Sequence, residues 1–515
     1  MRSRKALINT TSSLLLELVS VISGFIIPRL ILSTFGSSYN GITSSITQFI
    51  GYITLLAAGV GGVTRAALYK PLAEKNYKEI SAIVRATEMF LRRIALIFSG
   101  ALLIFASLYP FLRSVSGDEE NFSWFFTFSL VIILGLGTFV RYFFGMTYQL
   151  VLNADQKQYI NTIIQIFTTI GNTVIAYALI KFGAGIHAIK LGASLIFMLN
   201  PIIVHIYTKK KYMIDSSVKP NNDAIKQRWD AFAHEIAFFV HGNTDLVFLS
   251  FFSNLKEISV YTVYNMVAFS VSTLVSSVST GIEAAFGNMI AKGEMDKVSK
   301  NLNLFEFLMQ GIAVVLYSSM GLLITSFVGV YTKGIIDVNY HRPLFGYLLA
   351  AVGFFISIRI PYQAVARAAG HYKQTRNGAI IEAAINIVLS LILIQKYGLV
   401  GITIGTLVAM IFRSVQYSVY VHRNILKESM RPLILRFCLN IIIISSIVLS
   451  IILLKLPTPD TYLSWIVNGF IVFGIALGLT LIFNLIFSRK VSLEFVQFIK
   501  NMVKERPRIS RNLSE

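Results

Sequence analysis

Cysteine and negative charge are both scarce in this chain. Cys438 is the only cysteine in 515 residues, so no disulfide can form within the chain and no thiol-based zinc cluster is possible. Charged residues make up 14% of the chain, against about 25% in soluble domains. With 55% hydrophobic residues and a mean hydropathy of +0.67, this composition belongs to a polytopic membrane protein. Asp and Glu number 25 against 46 Lys and Arg, a net charge of +21. In a soluble protein that excess would suggest nucleic acid. Here it asks which side of the membrane the cations occupy, and no nucleic-acid partner is expected.

Other absences narrow the function. The Gly-rich GVGG at 59–62 lacks the Gly-Lys-Ser/Thr ending of a phosphate loop, and His234, Glu235 and His241 lack metalloprotease spacing. No metal or cofactor is expected. GITIG at 401–405 fits close helix packing. The longest connection, Lys209 to Arg228, is about twenty residues, too short for a soluble domain. The outer loops are about a dozen residues or fewer, which leaves no room for the large catalytic loop of a polysaccharide ligase or polymerase. The basic N-terminus runs into an apolar stretch longer than a signal peptide, with no small-residue cleavage pattern, so it reads as a retained first helix.

About 20 apolar residues cross a bilayer as a helix. Fourteen candidates follow one another at about 9–32, 41–64, 94–112, 122–151, 159–180, 186–207, 231–252, 259–289, 304–329, 344–366, 378–395, 399–421, 434–454 and 463–487. With the N-terminus inside, 34 of the 46 Lys and Arg fall in inside segments and seven in outside loops. The other five, Arg29, Arg141, Lys190, Arg359 and Arg413, lie within helices. That bias predicts two cytoplasmic termini. The amphipathic stretch 70–92 is expected to lie on the anionic inner leaflet.

Residues 66–95 align without a gap with 284–313, at an offset of 218. Ala66/Ala284, Ala67/Ala285, Ala73/Ala291, Ser81/Ser299, Glu88/Glu306, Ile94/Ile312 and Ala95/Ala313 are identical. RYFFGMTYQ (141–149) parallels RIPYQ (359–363), and IKFGAGI (180–186) parallels QKYGLVGI (395–402). Helices 1–6 thus repeat as helices 7–12, with the same side inward. The expected fold is all-α: two pseudo-symmetric six-helix bundles plus two C-terminal helices. The expected boundaries are 1–208, a cytoplasmic linker at 209–230, 231–424, 425–488, and a basic tail at 489–515.

Ionisable residues inside spans default to a functional hypothesis. A cation at mid-membrane costs about 2.5–3.5 kcal/mol on insertion scales. Glu17 and Arg29 lie on helix 1, with Pro28 beside Arg29; Arg65 ends helix 2, and Arg141 is on helix 4. Asp245 is on helix 7 near His241, Asn243 and Thr244; Glu283 is on helix 8, Arg359 on helix 10 and Glu382 on helix 11. Arg65 corresponds to Glu283 at the 218 offset, and Pro28-Arg29 slides onto Asp245-Leu246. The two lobes therefore carry unlike charges at matching depths. This suits a cationic docking point in one and a titratable or cation-binding carboxylate in the other. The bland alternatives remain open. Arg29 and Arg65 can snorkel as interface anchors, and Arg141 and Arg359 can pair with Glu17 or Glu382 as structural glue.

A first helix ending PRLILSTFG, a second ending GVGGVTRAALYKPLAEKN, and a helix 7 reading TDLVFLSFF before VYTVYN together make a pattern. It resembles the polysaccharide-transport (Wzx-type) branch of the multidrug/oligosaccharidyl-lipid/polysaccharide exporter superfamily, over the whole chain. The resemblance implies an alternating-access flippase, not an enzyme, in the bacterial inner membrane. It implies a cargo of undecaprenyl-pyrophosphate-linked oligosaccharide, for O-antigen, capsule or a related glycan. Helices 1, 2, 7 and 8 would line the cavity, and Pro28 would permit the bend that swings Arg29 inward. Arg29, Arg65, Arg141 and Arg359 would contact substrate, since arginine binds phosphate oxygens bidentately. Asp245, Glu17 and Glu283 would couple to a proton or sodium ion. The chain is expected to be a monomer in contact with membrane lipid, a polymerase and a chain-length regulator. A drug-cation antiporter of the same superfamily is the nearest alternative, and a ligase or polymerase a more distant one.

Overall fold

The computed structural model describes residues 2–57, 60–115, 122–226, 244–279, 282–497 and 500. Parts of the expected linker (227–230), of helix 7 (231–243) and of the basic tail (501–515) lie outside the described residues, as do His241 and Asn243.

The described chain is mostly helical, without strands among the described residues. The helices are α1 Arg2–Phe35, α2 Ser37–Thr54, α3 Val60–Ala73, α4 Tyr77–Val115, α5 Trp124–Val140, α6 Met146–Ala154, α7 Gln158–Lys181 and α8 Ile186–Lys211. After them come α9 at 244–252, α10 Leu255–Val278, α11 Ile282–Ala291, α12 Met295–Tyr331, α13 Pro343–Ala368, α14 Tyr372–Tyr420, α15 Arg431–Leu454, α16 Tyr462–Phe487 and α17 at 489–497. Among the described residues, eleven helical spans are long and apolar enough to cross a membrane. This is a multi-pass membrane protein.

Eleven differs from the expected fourteen at three places. The expected second span is broken into α2 and α3. The seventh is described only from residue 244. The eleventh and twelfth run together as α14, kinked at Gly398 (φ 53°, ψ −126°), a left-handed conformation that favours glycine.

The backbone repeats as the sequence does. The turns before α4 and α12 each hold a positive-φ residue, Lys75 (54°) and Gly293 (72°), 218 positions apart. Gly183 (73°) and Gly398 (53°), paired where IKFGAGI aligns with QKYGLVGI, both have positive φ. Glu88 and Glu306, identical in the repeat, are both buried, at 5% and 4% exposure. Glu88 holds Arg92 (2.6 Å) and Arg85 (3.3 Å) of its own helix, whereas Glu306 holds Arg436 of α15 (3.4 Å). One repeated acid thus braces a helix in one copy and ties on an extra helix in the other.

Two compact units emerge. The first comprises residues 1–262 and 334–338. In it α1 lies beside α7 in parallel register: Asn9 accepts from the Tyr159 amide (2.8 Å) and Ser23 from Thr173 (2.9 Å). Contrary to expectation, 70–92 does not lie free on a membrane surface. Residues 77–92 open α4, and Ile80, Ile83 and Val84 pack with Leu68, Tyr148, Val151 and Val204 in a buried core. An apolar face that finds protein loses its reason to seek lipid. The second unit comprises 263–333 and 339–515, where α13 packs between α12 and α14, and α16 against α12.

Candidate functional site

The side chains singled out from sequence fall into distinct settings. α1 runs unbroken through Pro28, and Arg29 on it is half-buried. The helix ends at Gly36, whose φ of 90° turns the chain into α2. Asp337 then caps α2: its two carboxylate oxygens accept from the Ser37 amide (2.6 Å) and hydroxyl (2.7 Å). Further along α2, Asn40 donates to Ser259 (2.8 Å), and Ser45 meets Ser250 (2.7 Å) and Tyr109 (2.7 Å). A Cβ on Gly41 would lie 1.9 Å from the Leu255 carbonyl oxygen, so glycine is what lets these backbones touch. α2 is thereby joined to α9 and the start of α10 by hydroxyls and a side-chain amide, which suits a low-dielectric interior.

Asp245, on α9, is half-buried and accepts a long hydrogen bond from Tyr261 (3.4 Å). Arg65, on α3, donates to the Gly61 carbonyl one turn back (3.2 Å). Glu17 is exposed on α1 and forms no ion pair among the described residues. Glu283 is exposed, with Arg367 at 3.9 Å.

Arg359 is engaged inside its own unit. Glu382, 4% exposed, accepts from Arg359 (2.7 Å) through one oxygen and faces Arg413 (3.1 Å) with the other. Arg413 also donates to the Thr375 carbonyl (3.0 Å) and the Tyr417 hydroxyl (3.0 Å). Of the two roles open to Arg359, substrate contact and structural glue, this geometry is that of glue.

Arg141 is placed differently. It opens a π-turn, Arg141–Gly145, between α5 and α6. Gly145 lets Pro201 of α8 approach, since a Cβ there would lie 2.1 Å from the Pro201 Cβ. The Arg141 side chain is exposed, has no hydrogen-bonding or ion-pair partner among the described residues, and lines a cavity of about 580 Å³ in the first unit. Lys190 lines the same cavity. Lys190 and Arg413 are intramembrane cations for which the sequence suggests no role. Their charge inside an apolar helix was the available signal. In the sequence Glu88 and Glu306 stand out only as a repeated identity, a mark of duplication.

At the same end of this unit as the α1 N-terminus, Asp155 forms a small ionic knot. Lys157 (2.5 Å), Lys5 (3.5 Å) and the Tyr212 hydroxyl (2.5 Å) converge on its carboxylate. Burial raises the Asp155 pKa, but the hydrogen bonds from Lys157 and Tyr212 and the Lys5 charge outweigh it, and the net shift is downward. Burial, reinforced by Asp155, pushes the Tyr212 hydroxyl upward, so it stays a donor.

Comparison with solved structures decides the architecture. The lipid II flippase MurJ in its inward closed conformation superposes with a TM-score of 0.68 at 17% identity, covering 93% of this chain and 99% of that one. The chain shares that fold. An inward-facing multidrug resistance MATE family transporter of the MOP superfamily gives a TM-score of 0.56 at 13% identity, over 79% of this chain and 94% of that one. The eukaryotic MATE transporter AtDTX14 gives 0.56 at 15%, over 82% and 96%. No protein-family model and no curated protein sequence matches the chain. These neighbours are transporters and flippases, not enzymes.

Proposed function

We propose that this protein is a flippase for an anionic lipid-linked oligosaccharide, an undecaprenyl-pyrophosphate-linked repeat unit moved from the cytoplasmic to the outer leaflet by alternating access. One observation carries the reading: intramembrane charge in the first eight helices is almost wholly cationic. Arg29, Arg65, Arg141 and Lys190 stand in these helices beside Glu17, while the buried Glu88 of α4 is already engaged by Arg85 and Arg92 of its own helix. A cation exporter needs the opposite balance. The fold likeness to a lipid flippase supports the same reading. In it, Arg29 and Arg65 meet the diphosphate, Asp245 couples transport to a proton or sodium ion, and both termini face the cytoplasm. A polymerase and chain-length regulator receive the product. Arg359 is assigned to its ion pair instead.

The test uses a strain lacking the gene, complemented with variants at matched protein level. Arg29→Ala is expected to abolish surface glycan and accumulate lipid-linked precursor on the inner leaflet. Arg29→Lys should keep part of the export, because it keeps the charge and loses the fork. Full export by the alanine variant would reduce Arg29 to an interface anchor. Intact glycan in the deletion strain would remove the flippase reading itself.

A further inference from the structure

The cavity in the first unit has an imbalance of charge that its repeat copy does not. Arg141 and Lys190 both line it, and neither has a hydrogen-bonding or ion-pair partner among the described residues. Helices α5 to α8 contain no Asp or Glu, and no acidic residue lines the cavity. Lys190 is half-buried and Arg141 exposed, and an anion in the cavity would balance the charge of both.

The chain contains its own control. Arg359 is the counterpart of Arg141 at the 218 offset, and there the anion is built in: the Glu382 carboxylate sits between Arg359 and Arg413. The position matching Glu382 is Ile164 at that offset, or Phe167 in the register that aligns Gly183 with Gly398. Both are apolar. Where the second unit supplies a carboxylate from its own helix, the first supplies space.

A second feature points to the chemistry of the occupant. Asn172 lines the cavity, is 6% exposed, and its Oδ1 is buried without a hydrogen-bond partner. A buried acceptor left unmade costs about 1–3 kcal/mol. Sulfate or chloride offers an acceptor no proton; a sugar hydroxyl does. Thr168, Thr169 and Gln165 continue the polar lining. A volume of about 580 Å³ admits a monosaccharide with a charged substituent and some water.

We propose that this cavity is a binding site for an anionic, hydroxyl-bearing ligand of monosaccharide size, an acidic sugar or sugar phosphate. Arg141 and Lys190 hold its charge and Asn172 accepts from a hydroxyl. The proposal goes beyond the flippase reading and stands without it, because it concerns binding by one unit rather than transport.

The test is binding to purified protein in lipid nanodiscs, read by calorimetry and by thermal stabilisation. Glucose 1-phosphate and glucuronate are expected to bind saturably. Glucose and sulfate should each bind at least tenfold more weakly. Lys190→Met and Arg141→Met should each weaken glucose 1-phosphate binding tenfold or more. Asn172→Asp supplies the missing carboxylate from within: it should abolish binding while leaving the unliganded melting temperature unchanged or higher. That variant separates loss of the site from loss of the fold. Equal binding of sulfate and glucose 1-phosphate would overturn the proposal, as would undiminished binding in the Lys190→Met and Asn172→Asp proteins.

Discussion

Replacing Glu382 by Gln removes the one anion shared by two buried cations. The side chains of Glu382, Arg359 and Arg413 retain 5%, 13% and 6% of their exposure, so water cannot replace the lost charge. Breaking a buried pair by removing one partner costs about 3–5 kcal/mol, because the remaining charge stays buried. Two arginines lose a partner here, but Arg413 keeps its bonds to the Thr375 carbonyl and the Tyr417 hydroxyl. The single-pair range is therefore the better guide. At about 2–4 °C per kcal/mol for a unit of this size, the melting temperature should fall by roughly 10 °C. The assay is thermal unfolding of purified protein in detergent, followed by tryptophan fluorescence and size exclusion. A companion replaces all three together, Glu382→Leu with Arg359→Met and Arg413→Met. It should melt within a few degrees of wild type, since an apolar trio needs no compensation. A Glu382→Gln protein melting within about 2 °C of wild type would refute the account of this cluster as a charge-balanced core.

Two further outcomes follow from local geometry. Gly41→Ala places a methyl 1.9 Å from the Leu255 carbonyl oxygen and should destabilise by about 1–3 kcal/mol, while Gly62→Ala, with nothing within 4 Å, should be neutral; equal melting of the two would sink the close-contact argument. For Asp155 the lowered pKa fixes the sign: its stabilisation is full above the ordinary carboxylate range near pH 4 and is lost as pH falls through the lowered value. The melting-temperature gap between wild type and Asp155→Asn should thus be constant above about pH 5 and close below pH 4, and a gap indifferent to pH would exclude the carboxylate as its source.

The sequence by itself determined the class of molecule. Helix length and hydropathy are local properties, and a bilayer imposes the same requirement on every span, so the all-α multi-pass architecture could be read residue by residue. The internal repeat was equally legible, because duplication leaves identities such as Glu88/Glu306 and matched glycines such as Gly183/Gly398. What sequence could not determine was which charges meet. Arg141 and Arg359 occupy equivalent positions, yet one faces a cavity and the other a carboxylate. That difference depends on whether a residue 23 positions away, on the next helix, presents Glu382 or an apolar side chain to the same point in space. The amphipathic stretch 70–92 shows the same limit. Its apolar face was plain, but only the packed bundle decided whether protein or lipid would cover it. Hydrophobic burial is non-directional, so the pattern says that a face is covered and the tertiary structure says by what.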